Sequence, residues 1–469
     1  MRRSASVRWW WLAAPLLAGC SAAPTPLAND LNVLSAGVRF VAQDAADARL
    51  EWSAGADQGT TAWAPVAAAG ATTLWAFGLA PRTAYELTLQ TRSEAGLTTT
   101  WAPVTVTTGA LPDALAGLSL DVRGKPFDGY VLLDLLGARE PGIAAAFDAS
   151  GRLAWYRLFP GPQQVAELKQ TPRGTYTAFV GNNTGYDAVP GSFVELAPSG
   201  EVLREWAAPS PEFTDCHELQ LLQAGDGDFD ALLSGYQARP ADLSAIGGSD
   251  AGTVVEHVLQ RVRPSGEVTF SWAVADHFDL SSWIDPVLPT QRSGTDFDHP
   301  NAFELDADGT LAVSLRNFDA VVGLRTSDGA VLWQLGGVKG DLRLGGDPLG
   351  GFSGQHSLRL LPGGHLLLYD NGNGHTPRQS RAVEYALDLQ ARTATLVWEY
   401  RHDPPIFTAY LGSATRSADG STLVGFGLSG VIDRVDADGT QTWEGRLTNG
   451  GHAAGFYRAV PIEALDPGP

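Results

Sequence analysis

The sequence predicts an all-β protein, a six-bladed β-propeller preceded by a small β-sandwich. Three observations carry this expectation. From about Leu31 to Thr108 apolar and polar residues alternate with period two, turn residues punctuate that alternation, and beyond it one hairpin type ending in tryptophan recurs six times.

The recurring hairpins end at Trp155, Trp206, Trp272, Trp333, Trp398 and Trp443. Pro198-Ser-Gly-Glu-Val-Leu-Arg-Glu-Trp206 and Pro264-Ser-Gly-Glu-Val-Thr-Phe-Ser-Trp272 show the pattern most plainly. Successive tryptophans lie 51, 66, 61, 65 and 45 residues apart, by subtraction. A supersecondary unit repeated at roughly 40–60 residues marks a propeller. A second hairpin precedes the tryptophan hairpin in five units, starting near Glu167, His217, His299, His356 and Gly412. Two hairpins make a four-stranded blade, and the propeller is expected to span 115–465. For the last blade, His452 to Ile462 is expected to supply the inner strand, with Gly129 to Leu136 pairing beside it. The Asp-x-Asp-Gly sequences at 306–309 and 436–439 lack the closing glutamate of a calcium loop and read as hairpin turns.

Upstream, residues 31–110 read as the sandwich, with strands at 38–41, 48–52, 73–75 and 85–89. Leu79-Ala-Pro-Arg-Thr-Ala-Tyr85 resembles the turn into the penultimate strand of fibronectin type III domains, where a tyrosine locks the corner. Residues 20–30 read as a tether. Residues 1–19 read as a lipoprotein signal peptide: Arg2, Arg3 and Arg8 precede the apolar run Trp9 to Ala18, and Leu17-Ala-Gly-Cys20 resembles a lipobox. Lipid attachment is expected at Cys20, and Ser21 favours outer-membrane sorting in a Gram-negative cell. Cleavage removes three arginines and no acids, taking the formal charge from −20 to −23. So acidic a chain argues against a nucleic-acid partner. Cys216 is then the cysteine left beyond the anchor, and it reads as packed rather than catalytic.

The phase of the repeat locates the chemistry. The first residue of each inner strand and the last residue of the next strand return to the same rim of the channel. His217, His299 and His356 take the first position; Asn182, Arg316, Asp370 and Asn371 take the second. His452 is expected as a fourth histidine, whereas His257, His277, His365, His375 and His402 read as surface or turn residues.

Several of these segments resemble the bacterial arylsulfotransferases, which do not use a nucleotide sulfate donor. They are Cys216-His-Glu218, the run from Asp298 to Arg316, Val331-Leu-Trp-Gln-Leu-Gly-Gly337, the run from Phe352 to Asn373, and Ala394 to Tyr400. The resemblance covers most of 125–460. It implies sulfuryl transfer from a phenolic sulfate to a phenolic acceptor in a ping-pong cycle. His356 would be the nucleophile, and His217, His299, Asn301 and Arg316 would hold the sulfuryl oxygens. It implies no cofactor and no metal. Two other readings stay open: a non-catalytic propeller that binds an anion or a partner, and a metal-dependent hydrolase using the same histidines. The sandwich reads as a spacer or a homodimerisation element.

Overall fold

A computed structural model describes residues 23–42, 44–67, 70–137, 140–181, 191–225, 227–283, 290–291 and 294–468. They divide into two compact units, one holding 23–27, 37–76 and 84–106, the other 28–36, 77–83 and 107–468. The structure is all-β, and among the described residues no helix is long and apolar enough to cross a membrane.

The smaller unit is built on a sheet in which Asp47–Ala54 pairs with both Asp57–Thr60 and Ala84–Arg92. Alternation places Tyr85, Leu87 and Leu89 inside, and the Tyr85 hydroxyl donates to Asp57. A second sheet takes Thr25–Ala28, Ser35–Phe40 and Thr72–Phe77. The stretch 28–36 clusters with the larger unit because its own groups are anchored there. Val33 and Leu34 join a core that includes Leu115 and Tyr156, and the Asn29 amide donates to Ser199 O at 2.8 Å.

Among the described residues the larger unit forms six sheets, each built on four antiparallel strands. The edge strands Gln164–Gln170, Phe213–Gln223, Pro300–Leu305, His356–Leu361, Ser413–Arg416 and Phe456–Ile462 lie side by side in a closed ring, which makes the unit a β-propeller. Phe456–Ile462 pairs with Tyr130–Leu135, so the C-terminus completes the blade that the N-terminal part begins. Leu118–Gly124 adds a fifth strand outside Gln441–Asn449.

The tryptophan repeat has a packing cause. Trp155 donates its indole N–H to Pro198 O, Trp272 to Gly329 O and Trp443 to Ala149 O, each acceptor lying in a turn of the following blade. Gly329 has φ +72°, a conformation that favours glycine, and a Cβ there would press on the Trp272 ring at 3.1 Å. The aspartate sequences at 306–309 and 436–439 form the expected hairpin turns, with Gly309 N–H on Asp306 O and Gly439 N–H on Asp436 O.

Beneath the rim, a buried ion network ties four inner strands. Arg458 bridges Glu167 and Glu218, Lys169 contacts the same two carboxylates, and Arg359 reaches Glu218 at 3.1 Å. Burial raises Glu167 to about 7, while Arg359, Arg458 and Lys169 overcome burial and hold Glu218 well below the usual range. Removing one partner of such a network strands buried charge. Arg458→Met is therefore expected to cost about 3–5 kcal/mol of stability, seen as a lower thermal midpoint. A variant melting with the wild type would contradict this role.

Candidate functional site

The inner strands deviate from regular pairing near the rim. Register shifts fall between Thr214 and Leu219, Pro300 and Ala302, and His356 and Arg359, and His299 and Ser357 take φ of 50° and 56°. Such bulges re-aim side chains. Here the His217 and His299 rings come to 4.6 Å between centroids and the His299 and His356 rings to 6.4 Å. His217 is the fifth residue of its strand, not the first, because pairing extends back to Phe213. His299 sits just ahead of Pro300–Leu305, and His356 opens its strand.

Each ring has its own partner. His217 Nδ1 lies 2.8 and 2.9 Å from the two Asp215 oxygens, and His299 Nδ1 lies 2.5 Å from Asp296 Oδ2. His356 Nδ1 faces two acceptors, Asn371 Oδ1 at 2.7 Å and Gly354 O at 3.0 Å. The Asn371 orientation is fixed, since its Nδ2 donates to Thr408 O and Leu411 O. His356 thus carries its proton on Nδ1 and keeps a lone pair on Nε2, which accepts from Leu411 N–H at 3.2 Å. The Nδ1–H tautomer follows from hydrogen-bond accounting alone.

Charge is distributed unequally. Burial opposes ionisation of His217, but the adjoining Asp215 carboxylate outweighs it and lifts the ring well above the ordinary histidine value. His299 and His356 are held well below that value, first by burial and then by neighbouring cations, His217 and Arg316 for His299, Arg316 for His356. At neutral pH the cluster is one imidazolium, one guanidinium and two neutral imidazoles. Arg316 opens the turn after Thr310–Leu315; its Nη1 donates to Asn317 Oδ1 and its Nη2 to Ala409 O. Asn301 donates to Gln355 O at 2.7 Å, bracing the strand that starts with His356. Asn301 Oδ1 and Arg316 Nε are buried with no partner among the described residues.

Other expectations fare differently. Asn182 and Cys20 lie outside the described residues. Cys216 is half-buried, packed near Trp206 and Leu219, with Sγ 3.9 Å from His217 Nδ1. His452 is exposed and pairs with Asn449 instead of reaching the channel, because Gly450-Gly451 turns the chain back before the inner strand begins at Phe456. Three histidines expected at the surface are largely buried: His257 on Asp298, His375 on Asp370 and His402 on Asp433. His277 is exposed and stacks on Trp272, and His365 bonds Glu384.

His257 is the residue that sequence reasoning missed. Fully buried, it puts Nδ1 2.5 Å from Asp298 Oδ1 and Nε2 3.8 Å from Asp215 Oδ1. It therefore touches the carboxylate that holds His217 and the one that accepts the His299 N–H at 2.9 Å. Among the described residues, potential ligand atoms group within 4.8 Å at Asp215–Cys216–His217, His257–Asp296–Asp298 and His402–Asp433–Glu444. The three rim histidines do not form such a group, and Arg316 stands among them, so they do not present a shared metal site.

The fold and the site define a propeller protein whose rim gathers histidines and an arginine suited to an anionic group. The chain belongs to the arylsulfotransferase (ASST) family: residues 189–449, more than half its length, match the family model. No curated protein matches the chain. A Bacteroides caccae protein of unknown function is similar in structure, with 13% identity over 72% of this chain and 100% of its own, TM-score 0.44. Staphylococcus aureus virginiamycin B lyase, in a catalytically inactive form with quinupristin, shows 9% identity over 74% of this chain and 97% of its own, TM-score 0.36. The β-propeller domain of Myceliophteria thermophila Cps50 (Swd1) shows 13% identity over 72% and 90%, TM-score 0.37.

Because the His257 cation lowers the His299 pKa, His257→Asn is expected to raise the midpoint of the His299 titration followed by NMR. An unchanged midpoint would contradict the coupling.

Proposed function

We propose that the protein transfers the sulfuryl group of an aryl sulfate to a phenolic acceptor through a covalent intermediate on His356. The observation that carries this is the His356 tautomer: a neutral ring with Nδ1–H anchored and the Nε2 lone pair turned away from that anchor. In the first half-reaction Nε2 bonds to sulfur, the sulfur–oxygen ester bond breaks, and its electron pair leaves on the donor phenol oxygen. In the second, the acceptor attacks as its phenolate: its oxygen bonds to sulfur, the sulfur–nitrogen bond breaks, and that bond's electron pair returns to Nε2. His217 as imidazolium and Arg316 as guanidinium favour the negative charge carried by the sulfuryl oxygens. His299 and Asn301 complete the proposed substrate set. Export as a lipoprotein anchored through Cys20, facing the periplasm or cell surface, remains part of the proposal.

With 4-nitrophenyl sulfate, nitrophenol release is expected to depend on added phenol and to fall by at least about 10³-fold in His356→Ala. Release that ignores both phenol and the substitution contradicts the proposal. The pH profile tests the charge assignment. His356 stays neutral until pH falls through its depressed pKa, and His217 stays charged until pH rises through its raised one. The rate is therefore expected to be level on both sides of 6.5, the ordinary histidine value. A single limb centred there would contradict the assignment.

A further inference from the structure

The segment that follows Thr408 lies against the reacting groups. Leu411 N–H donates to His356 Nε2 at 3.2 Å, and Ala409 O accepts from Arg316 Nη2 at 3.2 Å and from Asn373 Nδ2 at 3.0 Å. One short stretch thus occupies both the lone pair that must attack and a donor of the guanidinium that faces the anion. His356 is 2% exposed in this arrangement. A neutral imidazole with Nδ1–H has a single in-plane lone pair on Nε2, and a bond to sulfur uses that same pair. The amide and the sulfur atom cannot both have it.

The stretch has fixed ends. Ser380 N–H donates to Ile406 O, Thr408 N–H donates to Ser380 Oγ, and Thr408 Oγ1 bonds the Tyr369 hydroxyl at 2.7 Å. On the other side Gly412 N–H donates to Tyr457 O at 3.2 Å, and strand Ser413–Arg416 begins. Ala409, Tyr410 and Leu411 lie between these anchors. Leu411 takes φ +65°, a left-handed conformation costly for a branched, non-glycine residue. Such strain persists where the surroundings enforce it, and it favours whatever movement relieves it. Rotation of Leu411 toward negative φ changes the direction of its N–H and takes it off Nε2.

We infer that Leu411 is a further working residue of this site: its backbone amide caps the His356 lone pair in the free protein, and the 409–411 stretch must shift to release it. The inference rests on His356 being the nucleophile proposed above. Thr408 O lies outside the moving stretch and keeps an Asn371 donor engaged, and Gly354 O is untouched, so the Nδ1 proton keeps its acceptors while Nε2 and Arg316 become available together.

Two substitutions separate the capped from the uncapped state. Glycine adopts positive φ freely, so Leu411→Gly relieves the strain of the capped state and favours capping. Isoleucine, branched at Cβ, tolerates positive φ less well than leucine, so Leu411→Ile disfavours it. The readout is the rate at which diethyl pyrocarbonate modifies His356 in the full chain, followed on the His356 peptide by mass spectrometry, with nitrophenol release measured in parallel. Modification is expected to slow roughly five- to thirtyfold in Leu411→Gly and to quicken in Leu411→Ile. Equal rates in all three proteins, or a faster glycine variant, overturn the inference, provided circular dichroism shows each protein folded. The chemical probe needs no sulfuryl transfer. Ordered modification rates with no aryl-sulfate activity would leave the cap standing and remove the proposed reaction instead.

Discussion

The pairing of Phe456–Ile462 with Tyr130–Leu135 closes the propeller, and the site depends on that closure. A ring of blades has no edge only if its last strand is supplied, and here the C-terminal strand supplies it. The same strand carries the groups that hold the rim together. The Tyr457 hydroxyl donates to His217 O and Asn301 O, and Tyr457 O accepts from Gly412 N–H. Arg458 reaches Asn301 O and joins the buried carboxylates of two other blades. Closure and site geometry are therefore one structural event.

On that scaffold the rim sorts three chemically identical side chains into different charge states. The Asp215 carboxylate outweighs burial and keeps His217 cationic; His299, although it bonds Asp296, and His356 are held neutral by burial and neighbouring cations. An attacking imidazole must be unprotonated, and groups facing an anion gain from positive charge, so the sorting matches the proposed division of work. Asn371 makes the division strict for His356, because its own donors are committed elsewhere and its oxygen can only accept.

Much of this was legible in the sequence, for identifiable reasons. Tryptophans docking on turns of the next blade leave a repeat that survives in the one-dimensional text, although His217 stands fifth in its strand, His299 just ahead of its own and His356 first. What was missed depends on contacts that leave no such mark. His257 lies in the third strand of its blade, and it meets Asp215 and Asp298 because Gly252–Val262 runs on, parallel to Gly294–Asp296, beyond the length of a typical blade strand. Leu411 acts through its backbone, which any residue type possesses. His452 was misplaced because two glycines turn the chain a few residues before the inner strand starts.

The central claim is a covalent bond between sulfur and His356 Nε2. Rapid acid-free quenching after mixing with 4-nitrophenyl sulfate in the absence of acceptor, followed by peptide mass spectrometry, tests it most directly. The account predicts a single sulfuryl group on the peptide containing His356, removed when phenol is added. Nitrophenol release without modification of that peptide, or modification of a peptide holding His217 or His299 instead, would contradict it.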